Sequence, residues 1–503
     1  MTYDHGASLP KVLLDDLGVL HCGHSPTVAD VNTNGDGVLY VTGPEQWQDG
    51  KVLRTKWTTA PKRIAPDNSI FITVKGAGVG KMAFGVECAI GRDVYAFEPS
   101  PLLNDKFIFW AIKEGVNEIV LKAQGDIPGL SKAHILEHEI RLPPINEQRR
   151  IVEKIEAMFD EIDAGIQSLQ TARTTLGLYR QSLLKSAFEG RLTADWRAQN
   201  ADQLEAPETL LARIQAERDT RYKTALDNWQ DALAEWRANG EKGKKPAKPK
   251  RIKPPEKFTL KQLDSLPLLP DSWSHTKIGF LAQVGTGVTP LKSNKAFYNP
   301  PEIPWVTSGA VNASYVEKPG HFVSRQALEE TNLQIYPSGT LILAMYGEGK
   351  TRGKCSELKF ESTTNQALAA IQVERVEHFL KPYLKMFLLK NYQDMRLLSS
   401  GGVQPNLNLG IVENHWVPIC SPAEQAEIVR ILDARLEAAD ALEAEIDAAL
   451  TRADALRQSI LKKAFSGQLV PQDPIDEPAS ALLERIKAER LKAPKKTRKR
   501  APA

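Results

Sequence analysis

Apolar residues recur at steps of four and three along two stretches of this chain. Ile151, Ile155, Phe159, Ile162, Ile166, Leu169, Leu176, Leu183 and Ala187 form one stripe, and Ile428, Leu432, Leu436, Ala439, Leu442, Ile446, Leu456, Ile460 and Ala464 form another. Residues three and four apart share a helix face, so the spacing predicts long amphipathic helices that meet along a coiled-coil seam. No proline interrupts residues 146–188, and only Gly165 and Gly177 weaken the pattern there. A helix of that span would be roughly 65 Å long. Gly190 and Gly467 stand where C-terminal caps are expected. The stripes are longer than one small domain could cover, which predicts that the helices pair.

The two stretches are copies. Glu147-Gln148-Arg149-Arg150-Ile151-Val152 returns as Glu424-Gln425-Ala426-Glu427-Ile428-Val429, an offset of 277 (424 − 147). The same offset carries Gln181-Ser182-Leu183-Leu184-Lys185-Ser186-Ala187-Phe188 onto Gln458-Ser459-Ile460-Leu461-Lys462-Lys463-Ala464-Phe465. A shorter echo follows each, Thr209–Arg218 returning as Ala481–Arg490, and Tyr222–Ala238 reads as another helical piece. Two copies at so long a period indicate a duplicated domain, not a solenoid.

Ahead of each helix lies a stretch with strand-like runs. The first holds Gly37–Thr42, Ser69–Val74 and Val94–Phe97; the second holds Ile303–Thr307, Thr340–Met345 and Ala367–Ile371. Both end in a glycine-led segment, Gly125–Leu130 and Gly402–Leu407, again at offset 277. Related folds with divergent surfaces are expected.

Composition narrows the class. Of 503 residues, 42% are hydrophobic and 25% charged, a globular balance with room for a large core. No apolar run is long enough to span a membrane, and Met1-Thr2-Tyr3-Asp4-His5 lacks the zones of a signal peptide, so a cytoplasmic location without membrane partners is expected. Cys22, Cys88, Cys355 and Cys420 are scattered and read as reduced thiols. The net charge of +3 is uneven: residues 241–257 carry eight basic and two acidic groups, and residues 487–500 eight and one. These runs read either as solvated, disordered segments or as phosphate contacts.

Catalytic readings are weak. Ala344-Met345-Tyr346-Gly347-Glu348-Gly349-Lys350-Thr351 approximates a phosphate-binding loop, but Ala stands at the first glycine position and Arg352-Gly353-Lys354 reads as a turn. Asn299-Pro300-Pro301-Glu302 lacks the aromatic fourth residue with which amino-methyltransferases stack a flipped base. Glu357-Leu358-Lys359 has nuclease-like spacing without an upstream Asp, and no metal site is expected. A glycine-rich basic loop also suits close approach to DNA. Lys350 and Arg352 suit guanine, Lys354 phosphate or guanine, and Asn365, Gln366, Gln404 and Asn406 adenine; Tyr346 joins them as a candidate. In the first domain Lys75, Lys81 and Arg92 are the analogous choices.

The order of domain, long helix, linker, domain and long helix resembles the specificity subunit of Type I restriction–modification enzymes. The resemblance rests on Pro143-Pro144-Ile145-Asn146-Glu147-Gln148, its partner Pro422-Ala423-Glu424-Gln425, and the QSLLKSAFEGRL and QSILKKAFSGQL segments. In the second domain Ile303–Gly309, Gly347–Gly353 and Gly401–Leu407 add to it; Val41–Pro44 and Lys75–Lys81 are weaker counterparts in the first. It implies an α+β fold: two mixed α/β target-recognition domains joined by two long antiparallel coiled-coil helices, with pseudo-twofold duplication. The divisions would be residues 1–145 (first recognition domain), 146–192 (first long helix), 193–268 (short helices and Lys/Pro linker), 269–421 (second recognition domain), 422–467 (second long helix) and 468–503 (short helix and basic tail). Each domain would read half of a split, asymmetric site in double-stranded DNA. Two methyltransferase subunits would dock on the helices, on faces that include Arg150, Lys154, Gln167 and Arg430, and restriction/translocase subunits would join. The chain itself would be non-catalytic and bind no cofactor, with S-adenosylmethionine, ATP and Mg on the partners. A stand-alone P-loop or methyltransferase-type enzyme and a two-module DNA-binding regulator are the alternatives.

Overall fold

Two helices of 44 residues each, Ile145–Phe188 and Pro422–Phe465, run where the stripes predict. In this computed structural model residues 9–492 are described, except 49, 77, 123–128, 243–244, 250, 252–255, 348–350 and 398–405. The chain forms two units, Met1–Ala172 with Glu445–Ala503, and Arg173–Ala444. Each unit therefore holds one domain, the first part of the helix that follows it and the last part of the other helix.

Both helices start and stop by the same devices. Gln148 and Gln425 are fully buried, and each Nε2 donates to a carbonyl of the incoming chain, Pro143 and Cys420, at 2.9 Å. Glu147 and Glu424 lie in the first turns, where a carboxylate meets the positive end of the helix dipole. At the other ends Gly190 (φ 73°) and Gly467 (φ 78°) adopt the left-handed conformation. There the Arg191 and Gln468 amides donate to Ser186 and Lys463, and the glycine amides to Ala187 and Ala464, so both are Schellman caps.

In the first unit, Arg457 pairs with Asp163 and stacks on the Phe159 ring at 5.0 Å, while Ile155, Ile460 and Ala464 share one core. In the second unit, Arg180 bonds Asp440 (2.6 Å) and Glu443 (2.5 Å), and Leu183 and Ala187 share a core with Val429 and Leu432. In both, residues later on one helix meet residues earlier on the other, so the packing is antiparallel. The Arg457–Asp163 and Arg180–Asp440 pairs are the same pair at offset 277 with the helices exchanged. The seam differs from the expected stripe at two places: Leu442 (56%) and Leu456 (49%) are exposed. Glu443 and Arg457 take the inward positions because each finds an opposite charge or an aromatic face across the seam.

The domains share the centre of one topology. In the first, Lys11–Leu13 pairs antiparallel with Glu139–Arg141, and a four-stranded antiparallel sheet runs in the order Met82–Phe84, Ile70–Thr73, Val94–Pro99, Gly18–Cys22. A second sheet holds the parallel pair Val38–Val41 and Cys88–Ile90. In the second domain, Ser274–Lys277 pairs with Trp416–Ile419, and Ala282–Thr286, Leu368–Val373, Leu341–Ala344 and Cys355–Leu358 form neighbouring antiparallel strands. Ile303–Val306 and Thr363–Thr364 supply the corresponding parallel pair, and Tyr315–Val316 adds a second one on Cys355–Leu358. Helix Asp105–Lys122 packs Phe107, Ile108 and Ile112 against the first sheet, and helix Leu380–Lys390 packs Leu384 and Phe387 against the second.

The shorter echoes are also equivalent: Leu210 and Ile214, like Leu482 and Ile486, are buried at offset 272. The two pieces read separately in sequence are one 32-residue helix, Pro207–Ala238. The described part of the Lys/Pro linker is mostly exposed and without regular structure, and touches helix Pro207–Ala238 at a few places. Lys245 and Lys248 stand over Trp236 and Trp229, and the Trp229 indole donates to the Pro246 carbonyl at 3.0 Å. The basic tail from 493 onward is outside the described residues.

Candidate nucleic-acid interface

In the first domain the chain turns between Ile70–Thr73 and Met82–Phe84, closed by the Thr73 amide on the Lys81 carbonyl (2.9 Å) and the Gly80 amide on Thr73 (2.9 Å). Lys75 and Lys81 flank this hairpin and are exposed. The Val74 amide donates to Asp93 (2.9 Å), which draws in the turn between Cys88–Ile90 and Val94–Pro99 and with it exposed Arg92. The Leu130 amide donates back to Val74 (2.8 Å), and Gly129 bridges Lys75, so the glycine-led segment ends at the same place. Arg92 is held by its own amide on Ser25 Oγ (3.2 Å), and its guanidinium lies 3.8 Å from Asp93. Lys75, Lys81 and Arg92 thus meet at one edge of one sheet.

The second domain repeats this with other side chains. The Met345 amide donates to Ala367 (2.8 Å) and the Leu407 amide to Met345 (3.1 Å), as Val74 does to Asp93 and Leu130 to Val74. By these bonds Lys75 and Tyr346 occupy equivalent places, as do Arg92 and Gln366. Tyr346 is exposed, and Lys354 bonds Asn312 Oδ1 at 3.1 Å. Gln366 accepts from Thr289 at 2.5 Å. Asn365 is pinned by its amide on Val306 (3.0 Å), and its Oδ1 and the Thr364 hydroxyl are buried without a hydrogen-bond partner among the described residues. Arg352 lies half-buried on the same hairpin, and Asn406 is exposed beside Leu407. Lys350 and Gln404 lie outside the described residues. Ser25, Thr289 and Asn312 were not singled out in sequence, since each reaches the edge from a distant segment.

Among the described residues, the segments behind the catalytic alternatives adopt other geometry. Leu341–Ala344 leads into Cys355–Leu358 as an antiparallel hairpin, with Gly353 and Lys354 bonded to Ala344, whereas a P-loop opens into a helix. Glu302 accepts the Arg325 amide at the start of helix Arg325–Glu330. Burial would raise the Glu357 carboxyl, but Lys381 (2.9 Å) and Lys385 (3.2 Å) hold it below the usual range, so it is a core ion cluster. Burial pushes the Cys88 and Cys355 thiols up to about 12, away from nucleophilic thiolate. Among the described residues no His, Cys, Asp and Glu group suits a metal, and no helix is long and apolar enough to cross a membrane.

The residues expected to face partner subunits are placed differently from one another. Lys154 and Gln167 are exposed, and Arg430 is exposed but bonded to Glu427 at 2.7 Å. Arg150 is engaged within its own unit, with Asp476 at 2.7 Å.

A duplicated pair of mixed α/β domains, each bringing polar and basic loops to one sheet edge and each carried by a long helix, defines a DNA-recognition scaffold. The chain belongs to the family of Type I restriction modification DNA specificity domains, whose model matches residues 11–170 and 270–452. It is 26% identical to the Type I restriction enzyme EcoDI specificity subunit of Escherichia coli over 412 residues, 79% of each chain. It is 24% identical to the EcoKI specificity subunit of Escherichia coli (strain K12), over 92% of this chain and 90% of that one. A chain solved in work on complex assembly and conformational transition of the type I R-M system shares the fold, with a TM-score of 0.63, 15% identity, and coverage of 93% of this chain and 100% of the other.

Proposed function

We propose that this chain is the DNA-reading and assembly subunit of a Type I restriction–modification complex. Its first domain reads one half of a bipartite, asymmetric target in duplex DNA and its second domain reads the other. Two methyltransferase subunits dock along the long helices, and restriction/translocase subunits complete the assembly. S-adenosylmethionine, ATP and Mg are bound by those partners, and this chain performs no chemistry of its own. Lys154 and Gln167 belong to the docking faces, and exposed Leu178, Tyr179, Leu442 and Leu456 add apolar area to them.

One observation carries the reading: the same hairpin, turn and glycine-led segment meet at the same sheet edge in both domains, but with different side chains. A shared backbone frame with Lys75 and Arg92 in one copy and Tyr346 and Gln366 in the other suits two unlike half-sites. Phosphate contacts would set position and side chains on base edges would set sequence. The test exchanges residues 1–140 for the corresponding domain of a relative and maps methylated adenines genome-wide in the host. One half of the methylated motif should change while the other stays. A change in both halves, or in neither, would refute the assignment.

A further inference from the structure

The first domain carries a concentration of positive charge that the readout edge described above does not include. Residues 51–63 hold Lys51, Arg54, Lys56, Lys62 and Arg63 and no acidic residue. Some other cations of this unit pair with acids, as in Lys106–Glu156 (2.7 Å) and Arg150–Asp476 (2.7 Å). Lys51, Arg54, Lys62 and Arg63 are exposed and make no ion pair among the described residues. Only Lys56 is engaged, on Thr42 Oγ1 (3.2 Å) and Glu45 (3.7 Å).

Their backbone places them beside the readout edge. The Ile90 amide donates to the Arg63 carbonyl (3.0 Å), two residues before Arg92. The Tyr40 amide donates to Lys56 (2.8 Å), and the next residue, Val41, accepts from Gly91 (2.8 Å). The hairpin Trp47–Gln48 with Lys51–Val52 leads into this segment. A Cβ on Gly78 would lie 2.5 Å from Pro44 Cγ, so the Lys75–Lys81 hairpin abuts the same region. The segment that carries these cations is therefore tied by its backbone to the edge.

The second domain has no counterpart. Between its equivalent strands, residues 307–340 hold two basic groups, Lys318 and Arg325, against three acidic ones, Glu317, Glu329 and Glu330. In the first domain residues 42–69 hold five basic groups against three acidic ones. The duplication kept the frame and charged one copy.

We infer that Lys51, Arg54, Lys62 and Arg63 form a clamp on the phosphate backbone of duplex DNA, so that the first domain supplies electrostatic grip from a segment whose counterpart in the second domain does not supply it. The inference rests on the DNA-reading assignment and adds which surface holds the backbone. Unpaired exposed cations beside a base-reading edge match the spaced negative charge of a duplex. Such contacts release counterions without regard to sequence.

The experiment uses the complex assembled with its methyltransferase, and measures binding to the mapped target duplex and to one scrambled in one half-site, across salt concentrations. The fourfold variant Lys51→Gln, Arg54→Gln, Lys62→Gln, Arg63→Gln should lower the salt slope by about 3.6, at roughly 0.9 per phosphate contact. Between 50 and 200 mM salt the wild type should then lose about 150-fold more affinity than the variant, by the same relation. The ratio of target to scrambled binding and the methylated sequence should not change. Single variants Arg54→Gln and Lys62→Gln, each expected to lower the slope by about 1, keep the test decisive should the fourfold variant fold poorly. An unchanged slope in variants that still discriminate would overturn the clamp. So would loss of the methyltransferase from the variant complex, which would make this a protein contact. Wild-type complex that failed to discriminate the two duplexes would instead sink the DNA-reading assignment.

Discussion

Arg218 and Glu374 are nearly inaccessible, and the guanidinium Nε donates to the carboxylate at 2.7 Å while Arg221 donates to its other oxygen at 2.8 Å. Burial would raise this carboxyl, yet the two arginines hold it below the usual range. Its contribution is therefore present above the ordinary carboxylate pKa and lost as pH falls through the lowered value. Arg218→Met leaves a buried charge with one charged partner, and should cost about 3 kcal/mol in urea unfolding at pH 7; a cost below about 1 kcal/mol would show the pair to be dispensable. His415 works in the opposite chemical sense. Burial lowers its imidazole from 6.5 to about 4, and Asn391 bonds the ring at 2.6 Å. The unfolded chain binds that proton first, so stability is full above pH 6.5 and declines as pH falls towards 4, by up to about 3 kcal/mol. Urea unfolding of wild type and His415→Asn at pH 7 and pH 4.5 checks this: the variant should lose distinctly less stability on acidification, and equal losses would refute it.

The two helix caps share the same two Schellman bonds and differ in surroundings, which separates backbone strain from packing. A Cβ at Gly467 has only Leu9 Cδ1 nearby, at 3.9 Å, whereas one at Gly190 would lie 2.4 Å from Pro270 Cγ. Gly467→Ala should therefore cost about 1 kcal/mol, the ordinary penalty of a left-handed alanine. Gly190→Ala should cost about 2 kcal/mol more, from overpacking. Thermal unfolding of the pair decides it, and equal costs would show that Pro270 yields freely. The helix starts also diverge. Glu424 is held by Thr193 (2.7 Å), Arg197 (2.9 Å) and the Trp273 indole (2.9 Å), while the equivalent Glu147 has a buried Oε1 without a partner among the described residues, and burial raises its pKa.

Each unit is assembled from sequence-distant pieces. Ile460, Leu461, Leu482 and Ile486 complete the core around Ile151 and Phe107, and Leu183, Leu210 and Ile214 complete the core around Leu384 and Ile428. A single cut between 243 and 255 leaves each fragment holding part of both cores. Limited proteolysis there should give two fragments by denaturing electrophoresis that elute together, at the intact size, in native gel filtration. Separation of the fragments without denaturant would mean that the shared cores contribute less than their burial implies.

The long helices, their caps, their duplication and the two strand-rich domains were legible in the sequence, because period, glycine placement and repeat are local properties. So was the family resemblance, carried by helix-start and helix-end motifs whose Gln148, Gln425, Leu183, Ala187, Ile460 and Ala464 are buried. What the tertiary structure decided was equivalence and partnership. Lys75 matches Tyr346, and Arg92 matches Gln366, only through shared backbone bonds, since loops of unequal length shift the offset from strand to strand. The seam admitted Glu443 and Arg457 in place of Leu442 and Leu456 because charges and a ring on the facing helix receive them. Periodicity ranks a residue by its own polarity; whether a charge is welcome inside depends on the partner opposite, and the chain must fold before that partner arrives.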